Sequence, residues 1–169
     1  MTYAHHWDRP ARIDDAPWAR IRNDISLALQ LFQVTSRDPA WRQAGVEPVS
    51  LHGPDGTGEP VVAPARIAFN GDASRNGAGA PFVFEQRADD HAADARVHAS
   101  CDTALLPYDI SVCTALLIAK YHLGDALVLR SDGRVTELGW PVAREVAGTV
   151  LGIHAGLSDD GDRGVRWMV

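Results

Sequence analysis

The sequence predicts an α+β fold: one domain over residues 1–169 in which a mostly antiparallel sheet packs against about three helices. Three observations point there. Trp18, Ile21, Ile25, Leu29 and Phe32 recur at steps of three and four, the period of a helix with one apolar face. Residues 108–123 are apolar on nearly every side, as in a helix buried all round. Short β-prone runs at 2–7, 65–71, 81–88 and 96–100 are separated by turn-rich segments.

In chain order, "TYAHHW" (2–7) reads as a strand, because aromatic side chains suit a pleated surface. Asp14 or Asp15 caps a helix over about 15–34, with Pro17 tolerated in its first turn. Residues 35–64 are rich in Pro and Gly and read as loop with a short helical turn at 38–44. "ARIAFNG" (65–71) is a strand ending in a turn, and 71–80 is a glycine-rich loop. "PFVFEQRA" (81–88) alternates Phe82 and Phe84 against Val83 and Glu85, a strand with one drier face. "RVHAS" (96–100) is a third sheet segment.

Pro107 and Asp109 then open the buried helix, where proline is accepted and a carboxylate meets the positive end of the dipole. Gly124 ends it. The two β-prone runs around Ser131-Asp132-Gly133 predict a hairpin over 126–138. Pro141 starts a third helix over 140–154, and in the tail, 155–169, Trp167 and Met168 pack back as a closing strand.

The bulk composition narrows the function classes. At 46% hydrophobic the chain can bury a core without staples, and two cysteines are too few for a disulfide framework. A reducing cytoplasm fits, and the start lacks the basic and apolar runs of a signal peptide. No stretch reaches membrane-span length, so no membrane partner is expected. A net charge of -6 argues against general nucleic-acid binding, which needs clustered Lys and Arg.

Several stretches resemble a family of small, uncharacterised bacterial and phage proteins that begin Gly-Tyr-Thr-His-Tyr-Trp. Here "TYAHHW" keeps Tyr3, His5 and Trp7; "FNG" is Phe69, Asn70 and Gly71; "CDTALLPYD" keeps Cys101, Thr103, Pro107, Tyr108 and Asp109; "SDG" is Ser131, Asp132 and Gly133, with Trp140 following. The departures bear on chemistry. The family's His-Glu-Thr-Phe is Gly79-Ala80-Pro81-Phe82, its Cys-Lys-Thr is Cys101-Asp102-Thr103, and its Lys before Pro-Tyr-Asp is Leu106. A site for an anion at those positions in relatives is largely dismantled here. The resemblance supports the order of elements and implies no specific activity.

The site candidates are strand ends and the helix start. Cys101 is a nucleophile at a helix N-terminus or simply the end of a strand. Tyr108 and Asp109 form an acid–base pair, or Asp109 caps the helix; Cys113 reads as core. His5 is an acid or base near neutral pH, with Trp7 on the same strand face as an apolar wall. Asn70 and Asp132 are weaker ligand-binding candidates, with turn roles as their alternatives. The seven histidines show no metal-ligand spacing, and no dinucleotide, phosphate-loop or calcium signature is present, so no metal or cofactor is expected. Two functions follow. One is a small cytoplasmic enzyme acting on a small polar or aromatic metabolite by side-chain acid/base chemistry, without a tightly bound metal. The alternative is a non-catalytic, mobile-element binding protein that sequesters a small ligand or blocks a partner. A small-molecule ligand is the expected partner, and a homo-oligomer is compatible with the second reading.

Overall fold

A computed structural model of the protein describes residues 2–35, 38–43, 47–89, 91–137 and 139–168. Along the chain lie β1 (Ala4–Pro10), α1 (Asp15–Thr35), α2 (Pro39–Gln43), β2 (Val61–Ala63), β3 (Arg66–Phe69), β4 (Phe82–Glu85), β5 (Arg96–Asp102), α3 (Asp109–Leu123), β6 (Val128–Ser131), α4 (Trp140–Leu151), β7 (Gly156–Asp159) and β8 (Val165–Met168). The α+β class is as expected, and the strands divide among three small antiparallel sheets: β5-β1-β6, β2-β3-β4 and the β7-β8 hairpin.

β1 is the middle strand of its sheet. Its side chains alternate as a half-buried strand requires, with Tyr3, His5, Trp7 and Arg9 inward and His6 and Asp8 on the wetter face. Trp7 meets Phe82 and Phe84 of β4, and Phe82 meets Phe69 of β3, so an aromatic layer joins the two larger sheets. Trp18, Ile21, Ile25, Leu29 and Phe32 of α1 are all buried, the face that their spacing predicts. α3 is buried from Asp109 to Lys120 apart from Ile110, and packs between α1 and α4. The buried apolar side chains make one contiguous core.

The turn from β5 into α3 is strained. Ala104 and Leu105 both have positive φ, at 49° and 59°, in a region that side-chain-bearing residues avoid. Asp102 holds the turn, because its carboxylate accepts the backbone N–H groups of Tyr3 and Ala104, both at 3.0 Å. The Asp102 anion therefore has a structural task.

Two expectations change. The hairpin over 126–138 is a single strand, β6, followed by turns through the described residues up to 137. β6 pairs with β1, and among the described residues the β-prone run after Gly133 forms turns and pairs with no strand. The tail holds a full hairpin, because β8 pairs with the polar run Gly156–Asp159 as β7. Gly164 makes that reversal at φ 68°, where a Cβ would lie 2.1 Å from the Leu129 carbonyl oxygen. Among the described residues, no helix is long and apolar enough to cross a membrane.

Candidate functional site

β1 and the first turn of α3 bring three chemically active side chains together in the core. His5 projects from the inward face of β1. Asp109 and Cys113 are one helical turn apart on α3 and share a face. His5 Nε2 lies 2.8 Å from Asp109 Oδ1 and 3.6 Å from Cys113 Sγ, and Cys113 Sγ lies 3.7 Å from Asp109 Oδ2. The Thr103 hydroxyl also donates to Asp109 Oδ1. His5 is 0% exposed and Asp109 4%.

The hydrogen-bond pattern fixes how the ring is used. The nearest neighbour of Nε2 is a carboxylate oxygen, which only accepts, so Nε2 carries the proton and donates it. In the neutral ring Nδ1 is then a bare acceptor, and it is buried without a partner among the described residues. Tyr3 and Trp140 meet the His5 ring edge-on at 5.3 and 5.4 Å. Gly139 roofs the carboxylate, since a Cβ there would sit 3.0 Å from Asp109 Oδ2. Burial, reinforced by the neighbouring Asp109 charge, pushes the Cys113 thiol well above its ordinary value. Burial also raises the Tyr3 phenol. Cys113 is therefore a neutral, weakly donating thiol here, unlike the exposed thiolate of a reactive cysteine.

The same three side chains are a metal-donor set, with one donor atom each inside a 4.8 Å span. A tetrahedral zinc ion with bonds of about 2.0–2.3 Å holds its ligand atoms about 3.3–3.6 Å apart. The two sulfur edges, 3.6 and 3.7 Å, come close to that, while the 2.8 Å N···O edge is a hydrogen bond. A metal-bound histidine normally donates its other ring N–H to a fixed acceptor, and His5 Nδ1 has none among the described residues.

The other candidates are dispersed. Tyr108 is next to Asp109 but uses different partners: its hydroxyl donates to the Ala80 carbonyl at 2.7 Å. Cys101 donates to the same carbonyl, and burial pushes its thiol up to about 12. Both tie the β5–α3 corner to the 79–81 segment. Asn70 is a knot in the 71–80 loop. Its amide donates to the Pro54 and Gly79 carbonyls, and its side-chain oxygen accepts from Gly71 and Gly79 N–H. Asp132 is exposed and accepts from Ala4 N–H at 2.8 Å. Trp7 shares the inward face with His5 and also lines a separate cavity, with its indole N–H unpartnered. Cys113, Thr103, Tyr3 and Trp140 complete the cluster and were not read as site residues. Of these, Tyr3, Thr103 and Trp140 stand in the aromatic- and turn-rich stretches quoted above, the signal the sequence offers for them.

No family model matches the chain, and no curated protein or solved structure matches it. The chemistry of the site therefore rests on its own geometry.

Proposed function

We propose that the protein is a small enzyme that moves a proton on or off a small polar or aromatic metabolite at the His5–Asp109 pair, without a tightly bound metal. One observation carries this reading: Asp109 holds one ring nitrogen of a buried histidine, and the other is left as an unpartnered acceptor. That is the division of labour of a carboxylate–histidine dyad, in which the carboxylate sets the tautomer and the free nitrogen takes the proton. Thr103 steadies the carboxylate. A buried pair of this kind adds little net stability over apolar residues of equal volume, so packing alone gives it no advantage. Tyr3 takes the hydrogen-bonding role that the sequence suggested for Tyr108, whose hydroxyl is committed to Ala80. Tyr3 and Asp109 are the members of the cluster that retain slight exposure.

The sealed position of His5 favours a second reading, a binding protein with no turnover. A thermal-shift screen against nucleotides, amino acids, sugars and carboxylates, followed by turnover assays on the hits, separates the two. Under the first reading, folded His5→Gln and Asp109→Asn variants lose turnover by about 100-fold or more. Folded variants with intact turnover would remove the assignment. Hits without turnover favour the binder.

A further inference from the structure

A second place in the fold has unmet chemistry. β4 and β5 are edge strands of different sheets, and a slot of about 460 Å³ runs between them over the floor formed by β1. Backbone hydrogen bonds close both ends. Ala80 N–H donates to the Asp102 carbonyl at one, and Ala11 bridges Ala95 and Ala88 at the other. Pro81 and Val83 line one side, Val97 and Ala99 the other, and Trp7 and Arg9 come up from the floor.

Arg9 is the anomaly. It is a guanidinium 5% exposed on the inward face of a central strand, with its charge stacked over Phe84 at 5.3 Å. Of its five N–H donors, one makes a bond among the described residues, from Nη1 to the Pro10 carbonyl at 2.8 Å. No carboxylate lies within ion-pair distance of it among the described residues. Glu85, on the wall of the slot, is paired with Arg66 at 3.7 Å. Burial lowers the pKa of Arg9, and the nearby Glu85 charge offsets this only in part. Trp7, which also lines the slot, has its indole N–H buried without an acceptor among the described residues. A cationic fork with unused donors on the floor of a slot of mixed polar and apolar lining, whose apolar share comes from Trp7, Pro81, Val83, Val97 and Ala99, describes the complement of a planar anion carrying an apolar body. Arg96, the other arginine lining the slot, is engaged with the Asp8 and Ala126 carbonyls. Glu85 on the wall disfavours a second negative charge.

We propose that this slot binds a small monocarboxylate with an apolar or aromatic body, its carboxylate on the Arg9 guanidinium and its body against Trp7, Val83 and Val97. The inference goes beyond the His5–Asp109 reading and stands whether or not that pair turns anything over.

The test uses the full chain, with tryptophan fluorescence and thermal shift read together during titration with sodium benzoate, the neutral isostere benzamide and inorganic phosphate. Benzoate saturates and raises Tm, while benzamide and phosphate bind at least tenfold more weakly. Arg9→Met weakens benzoate at least tenfold, and His5→Gln leaves it unchanged. Benzamide or phosphate binding as well as benzoate overturns the proposal, as does the absence of any saturable benzoate effect. Undiminished binding by folded Arg9→Met also overturns it, and loss of binding in folded His5→Gln would place the ligand at the other cluster. Should Arg9→Met not fold, the benzoate–benzamide comparison in the unaltered protein decides.

Discussion

His5 and Asp109 lie 104 positions apart in the chain and meet through a 2.8 Å hydrogen bond inside the core. Asp109 is the hub, since Thr103 and Cys113 also direct their protons at its carboxylate. Replacing it with alanine strands the His5 donor, while Thr103 keeps its longer bond to the Tyr3 carbonyl at 3.3 Å. Asp109→Ala should cost about 3–5 kcal/mol, the usual penalty for removing one member of a buried pair. Asp109→Asn keeps the shape and should cost less. Urea unfolding at neutral pH measures both, and a loss under about 1 kcal/mol for the alanine variant would contradict the hub role.

Both thiols should be silent in the folded protein. Cys101 and Cys113 are buried, and burial raises both above the ordinary thiol range. An aromatic disulfide reagent at pH 8 should label neither rapidly, and both on unfolding. Fast labelling of one thiol in the native state would show an open path to it.

The metal-donor geometry of the cluster should go unused during purification. Loading an ion must expel the Cys113 proton, which burial and Asp109 both hold in place, and must leave the second nitrogen of His5 unsupported. Metal analysis should find well under one equivalent, and EDTA should leave Tm unchanged. A fall of several degrees with EDTA would reverse this assignment.

Asp8 gives the outer face of the sheet an acid-sensitive tie. A hydrogen bond from His98, then one from Arg130, lowers its pKa from the ordinary 3.8. A lowered carboxylate pKa contributes stability that is complete above the unfolded value and is lost as pH falls through the folded one. Asp8→Asn should therefore flatten the acid limb of a stability-against-pH curve below about pH 4. The side chain is 32% exposed, so the effect should stay under about 1 kcal/mol. An acid limb that Asp8→Asn leaves unaltered would discount the tie.

Ala104 sits at φ 49° ahead of α3. Glycine relieves that geometry, so Ala104→Gly should stabilise by about 1 kcal/mol. In a chain of this size that is about 2–4 °C in Tm by calorimetry. A lowered Tm would mean that the methyl group contributes more than its backbone strain costs.

Much of this arrangement is legible in the residues. The α1 stripe is readable because helical period and burial agree. His5 and Trp7 share a face because a strand alternates. Cys113 was hidden because α3 is apolar all round, so no face of it stands out and a cysteine there looks like any core residue. Arg9 was hidden for the opposite reason: a charged residue is assumed to face water, and only the register of β1 turns it inward. The run after Gly133 has strand propensity but no partner, while the polar run Gly156–Asp159 has little propensity and finds one in β8. Pairing partners, which local sequence does not encode, decide such cases.

The place of β1 in its sheet has a consequence for how the molecule is made. Ala4–Pro10 leaves the ribosome well before its two neighbours, Arg96–Asp102 and Val128–Ser131. Until the second of these emerges, the strand has at least one edge of unsatisfied backbone. Such distant pairing slows folding, because the loop must close before any contact rewards it. A nascent or truncated chain ending before residue 128 would present that edge to its neighbours, and aggregation through the first strand is the failure to expect.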